Sequence, residues 1–191
     1  MTWSRATQAA GLTIVAAGLG WLLFVGLPRW YGPRAPGAIA AAPSQPPAPP
    51  GRKIKTHLFY VTEDGTQLTS VERDVMYGEG TMEQAKAIIN AQIAPATEPL
   101  VSPVPAGTTL RALFVTPKGE AYVDLSRELA EAHPGGSLNE LLTVYALVDA
   151  LTVNLPAITA VQVLIDGKEV ETLAGHVDLR RPLAKDLRWV Q

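Results

Sequence analysis

The chain opens with an apolar run that carries no charge and then passes into segments where apolar and polar residues alternate with changing period. Between Ala6 and Pro28 no side chain is charged, and Ala9 to Leu27 reads AAGLTIVAAGLGWLLFVGL over 19 residues. As a helix this stretch is roughly 28 Å long, close to the hydrocarbon thickness of a bilayer. It predicts one transmembrane helix over 9–27 behind a short cytoplasmic tail, 1–8. Trp3, Trp30 and Tyr31 stand beside its ends, where aromatic rings meet lipid headgroups. A cleaved leader fits less well, because the small residues Ala38-Ile39-Ala40 lie well past the run, whereas cleavage follows closely on an apolar core of about 7 to 15 residues. Arg5 and the α-amine balance Arg29 and Arg34, so charge alone does not orient the span. The brevity of the amino tail places it inside and everything after the span outside. From Pro28 to Gly51 there are eight prolines, which exclude helix and sheet interior and favour an extended polyproline spacer.

Beyond the spacer the periods change. Lys53 to Val61 alternates, with Ile54, Leu58 and Tyr60 toward one face, and meets Glu63-Asp64-Gly65, so it predicts a strand entering a turn, paired with Leu68 to Tyr77. Thr81 and Gln84 have capping-box spacing before a helical stripe of Met82, Ala85, Ile89 and Ile93 that stops ahead of Pro95. Pro95, Pro99, Pro103 and Pro105 then force a loop. Leu110 to Thr116 and Glu120 to Leu125 form a hairpin around Pro117-Lys118-Gly119. Ser137 and Glu140 repeat the capping-box spacing at the head of a helix reaching about Asn154, which is apolar nearly all round and is therefore expected to be covered on two faces. Ala160 to Ile165 and Lys168 to Leu173 are strands joined by Asp166-Gly167, a dipeptide suited to positive φ at both turn positions. The order β-β-α-β-β-α-β-β predicts an α+β domain over 52–183, a mostly antiparallel or mixed sheet packed against two helices, followed by a tail over 184–191.

Charge narrows the function. All 18 acidic residues lie after position 51, where removing Arg5, Arg29 and Arg34 from 16 basic residues leaves 13. That region lacks the basic excess of a phosphate-backbone binder, so no nucleic-acid partner is expected. The absence of Cys excludes disulfides, thiol nucleophiles and thiolate metal sites. No strand-G-x-G-x-x-G-helix or phosphate-binding loop occurs, and no cofactor is expected.

Few residues could carry catalysis. His57 alternates along a strand and reads as exposed or hydrogen-bonded. His133, in the loop His133-Pro134-Gly135-Gly136, is the best-placed base, yet no nucleophile turn accompanies it. His176 and Asp178 could offer two ligands from one side of an extended strand, with no third nearby, so no metal is expected. Asp149 falls within the apolar stripe of the second helix, where a charge requires a partner. Loop backbone, Arg73 or Arg111 could supply one, the alternative being a functional carboxylate with a raised pKa.

The succession Val104-Pro105-Ala106-Gly107-Thr108-Thr109-Leu110, Ala121 to Ser126, Gly136-Ser137 with Glu140, Val148-Asp149-Ala150-Leu151-Thr152, Val161 to Gly167, and Leu173 to Leu179 ending at Pro182-Leu183 resembles the GerMN domain of sporulation and spore-germination proteins. The motif residues are Pro105, Gly107, Asp124, Ser126, Ser137, Glu140, Asp149, Leu151, Thr152, Asp166, Gly167, Gly175, Asp178 and Pro182, for which the expected roles are structural. The family often has Asn-Thr where this chain has Asp149-Ala150. The resemblance supplies no catalytic set; it implies a membrane-tethered extracytoplasmic binding or scaffold module of the cell envelope. Its expected partner is an envelope protein or a second copy of the chain. The alternatives are a peptidoglycan binder, disfavoured by scarce aromatic residues, and a cell-wall hydrolase using acids such as Glu63, Asp64 or Asp124.

Overall fold

A computed structural model describes residues 51–191, and the expected anchor over 9–27 and the spacer up to residue 50 lie outside the described residues. Among the described residues no helix is long and apolar enough to cross a membrane. The elements are β1 (Lys53–Val61), β2 (Leu68–Met76), α1 (Gly80–Ile93), β3 (Leu110–Val115), β4 (Glu120–Leu125), α2 (Glu128–Glu131), α3 (Ser137–Asn154), β5 (Ala160–Ile165), β6 (Lys168–Glu169), β7 (Leu183–Ala184) and a 3₁₀ turn at Leu187–Trp189. This is the α+β class expected, with a different sheet arrangement.

Two sheets form instead of one. β1 and β2 make an antiparallel hairpin in register from Lys53↔Met76 to Val61↔Leu68. The other strands run β3-β4-β5-β6, with β7 also on β5. β4 and β5 are parallel, from Glu120↔Ala160 to Leu125↔Ile165, because the long crossover containing α2 and α3 returns the chain in the same direction. The remaining pairs of this sheet are antiparallel.

Side-chain amides explain why β1 does not join the larger sheet. The Phe59 N–H donates to Gln92 Oε1 at 2.8 Å, and Gln92 Nε2 donates back to the Phe59 carbonyl at 2.7 Å. Asn154 at the end of α3 treats His57 in the same way, accepting its N–H at 2.8 Å and donating to its carbonyl at 2.8 Å. Val61 then pairs with Val101. At alternate residues the free edge of β1 is thus closed by the two helices and a loop rather than by a strand.

The helix α3 lies at the centre, as its apolar circumference predicts. Leu142, Val144, Leu147, Val148 and Leu151 are all buried, each large aliphatic side chain contributing roughly 1.5–3 kcal/mol. Neither capping box forms. The N-caps are Glu79 and Gly136, without side-chain cap bonds. Gln84 reaches backward instead, accepting the Gly78 N–H at 2.9 Å and donating to the Met76 carbonyl at 3.3 Å. On α1 the inner face is Ala85, Ile88 and Ile89 with Gln84 and Gln92, while Met82 is exposed.

The last expected strand is shorter than its pattern. Only Lys168–Glu169 pairs with β5, and the chain then leaves the sheet. Residues 184–191, expected as a tail, carry the second half of β7 and the 3₁₀ turn, and their end is fixed by the Gln191 N–H donating to the Leu68 carbonyl at 3.0 Å.

Candidate functional site

A groove of about 910 Å³ runs along the proline-rich loop after α1. Ile93 and Leu100 form part of its wall, Val101 stands 55% exposed at it, and Pro105, Gly107 and Pro134 also line it. Its only ionisable lining residue is Glu98. The surface offers shape and apolar area and no converging acid, base or nucleophile.

Polar bonds, most of them part-buried, hold this loop. Thr143 on α3 donates from Oγ1 to the Pro103 carbonyl at 2.6 Å and lies 3.0 Å from His133 Nε2. His133 Nδ1 accepts the Gly135 N–H at 3.0 Å. The His133 ring therefore ties the two loops at the groove. The Pro105 carbonyl accepts from the Thr108 N–H and hydroxyl, at 3.3 and 2.8 Å, around Gly107 at φ +86°. The loop then closes on β4 where the Thr109 N–H donates to Ser126 Oγ at 3.0 Å. Sequence reasoning identified Pro105, Gly107 and Ser126 but missed Thr143, whose role shows only in the meeting of α3 with a loop 40 residues earlier.

The other motif residues fall into separate knots. Asp124 accepts the Gly167 N–H at 2.7 Å, and Arg111 approaches both Asp124 (3.6 Å) and Asp166 (3.2 Å). Asp166 and Gly167 have φ of +49° and +75°, which fits the hairpin turn read from that pair. Arg111 thus serves these two acids and not Asp149.

Glu140 is fully buried, and its carboxylate accepts the Leu173 N–H at 2.8 Å and the His176 N–H at 2.9 Å. Burial pushes its pKa upward, but backbone N–H groups of Ala174, Leu173, Val177 and His176 outweigh that and hold it below the ordinary value. The residue expected to cap α3 instead organises the 173–177 loop. His176 Nδ1 also lies 3.3 Å from Glu140, and Asp178 is taken by Arg180, whose guanidinium holds its carboxyl well below the usual range. Gly175 donates to Thr172 Oγ1, Thr152 donates to the Val148 carbonyl and Leu151 is core. Ser137 begins α3 without capping it, and Pro182 precedes β7.

The acids proposed for hydrolysis also act locally. Asp64 accepts from the Thr62 hydroxyl and from the Thr66 hydroxyl and N–H, which lower its pKa, whereas a general acid needs the opposite shift. Glu63 sits exposed in the same hairpin turn. His57 Nδ1 is 3.1 Å from Ser70 Oγ. Among the described residues no three His, Asp or Glu side chains gather as a metal site.

Asp149 behaves differently. It is fully buried, one carboxylate oxygen accepts the Asp186 N–H at 3.1 Å, and Oδ2 has no hydrogen-bond partner among the described residues. Burial pushes its pKa to about 6, more than the Asp186 N–H lowers it. The expectation of loop backbone as its partner holds, for one oxygen only.

A model of the Germane family, described as sporulation and spore germination, matches residues 57–171. The chain belongs to the Germane family. The resemblance carried by the motifs is thereby shown, although Gly175, Asp178 and Pro182 lie beyond the matched segment of this Germane chain. The first GerMN domain of the sporulation protein GerM from Bacillus subtilis is 19% identical with a TM-score of 0.54, covering 69% of this chain and 97% of that one. The tandem GerMN domains of the same protein are 20% identical at 0.52, covering 71% and 46%. A Clostridium perfringens protein described as a lipoprotein is 21% identical at 0.52, covering 71% and 89%. At these identities the likeness shows the Germane domain's fold alone. No functionally curated protein matches the sequence.

Proposed function

We propose that this Germane domain is a non-enzymatic binding module, tethered at the outer face of the cytoplasmic membrane, that holds an envelope protein in the groove along its proline-rich loop. One observation carries the reading: the groove is mostly apolar, has Glu98 as its single ionisable lining residue, and is pinned in shape by Thr143 and His133. A preformed loop surface with an exposed Val101 loses little conformational entropy on binding, which favours protein recognition over chemistry. The anchor and spacer read from residues 9–51, together with the lipoprotein description of the Clostridium perfringens relative, support the tethered arrangement. The family's description, sporulation and spore germination, supports examining those settings first.

The test pairs two assays on one preparation. Incubated with insoluble peptidoglycan, the domain is expected to stay in the supernatant and to release no soluble fragments. Sedimentation with the wall favours a polymer binder, and fragments that vanish when Asp64 or Asp124 is replaced by Asn overturn the non-enzymatic reading.

A further inference from the structure

The closing segment of the chain has the build of a strap. It runs from β7 through the 3₁₀ turn to Gln191, and its regular attachments are short: β7 pairs with β5 at Ala160↔Ala184 and Val161↔Leu183, and the far end is held by Val190 and Gln191 against Leu68. Midway, the Asp186 N–H donates to Asp149 Oδ1 at 3.1 Å. The strap thus covers a carboxylate that is fully buried in α3, and its second oxygen has no partner among the described residues. Such an atom is costly to keep dry when charged and tolerable when protonated.

We propose that the segment Leu183–Gln191 is a pH-dependent strap, closed over Asp149 while that carboxyl holds its proton and loosened when the proton leaves. Opening would uncover the Tyr145–Asp149 face of α3 and the edge of β5 at Ala160 and Val161, giving a second surface separate from the proline-rich groove. Local geometry leaves Asp149 as the controlling group. On its own helix the nearby titratable side chain is Tyr145, raised first by burial and then by Asp186 and Asp149. The strap brings Asp186, Lys185 and Arg188, of which Asp186 and Arg188 are paired with each other. β5 and β7 bring none. β1 carries Lys53, Lys55, His57 and Tyr60, with His57 turned to Ser70 and Lys55 to Glu72 and Asp74. α1 carries Glu83 and Lys86, paired at 2.7 Å.

The direction follows from linkage. The closed state raises the carboxyl from 3.8 to about 6, so closure is fully favoured below about pH 4 and is weakened as pH rises through 6. A solvated Asp149 keeps the ordinary value, and the closed-to-open ratio therefore falls about a hundredfold between pH 4 and pH 8.

Hydrogen exchange on the full-length protein, corrected for the intrinsic pH dependence of exchange, reads this ratio at the amides of Asp186, Val190 and Gln191. Their protection is expected to fall about a hundredfold over that range while β4 amides stay unchanged. In Asp149→Asn, which keeps an acceptor for Asp186, protection should stay high and independent of pH. Wild-type protection that does not vary, or an equal fall in Asp149→Asn, overturns the proposal. If that variant does not fold, a carboxyl carbon titration of wild-type Asp149 decides: a midpoint near 6 that tracks amide protection supports the strap, and a midpoint below 4 overturns it.

Discussion

Replacing Gln92 by Ala isolates the device that closes the edge of β1. Gln92 is fully buried and Phe59 is 1% exposed, so removing the amide strands a backbone N–H and a carbonyl where water cannot reach them. Each unpaired group costs about 1–3 kcal/mol, and the lost methylenes add a little, so Gln92→Ala should destabilise by about 3–5 kcal/mol. Asn154 makes the same pair of bonds to His57, but both His57 bonds lie at the surface. Water can replace them, and Asn154→Ala should cost only about 1 kcal/mol. Equilibrium urea unfolding of the domain from Ala48 to Gln191, with Gln92→Met as a control that keeps volume, measures both values. The reasoning is refuted if Gln92→Ala and Asn154→Ala lose the same stability, or if Gln92→Met is as stable as wild type.

Other outcomes follow from the same geometry. Glu140→Gln keeps the shape but not the charge received by the 173–177 loop, and should cost about 2–3 kcal/mol at neutral pH, read by thermal unfolding. Because the folded pKa of Glu140 is depressed, the wild type holds its advantage above the unfolded value and loses it as pH falls through the lower folded one, so the two proteins should converge in acid. Gly119→Ala forces a Cβ to 2.6 Å from the Ala157 carbonyl at a φ of +84°, and should lose at least about 2 kcal/mol by the same measurement. Protease added outside cells whose inner membrane is intact, but whose outer layers are permeable, should cut the domain from Arg52 onward; protection until the cells are opened reverses the orientation.

What was legible in the sequence was local. Asp166-Gly167 and Pro117-Lys118-Gly119 sit in turns whose backbone those residues favour, and β1, β3, β4, β5 and α3 follow their periods closely. The family likeness was also legible, because its motifs are turns and core positions in fixed order. Misreadings came where one residue had a local and a distant partner available. Gln84 and Glu140 both stand at capping-box spacing, yet Gln84 serves Met76 and Gly78 before its helix and Glu140 serves a loop 33 residues ahead. The division into two sheets depends on Gln92 and Asn154 imitating a strand across 33 and 97 residues, and no periodicity encodes such a contact. The groove itself was half legible: four prolines predicted its loop, but the Thr143 and His133 ties that shape it were not.

Photocrosslinking in living cells tests the groove most directly. With the full-length chain expressed at its native level, a crosslinking residue at Val101 should give a discrete protein adduct that the same residue at Glu72, on the charged outer strand of the hairpin, does not. Equal yields at both positions, or none at Val101 in a folded protein, would contradict the assignment of the proline-rich groove as the surface through which this domain works.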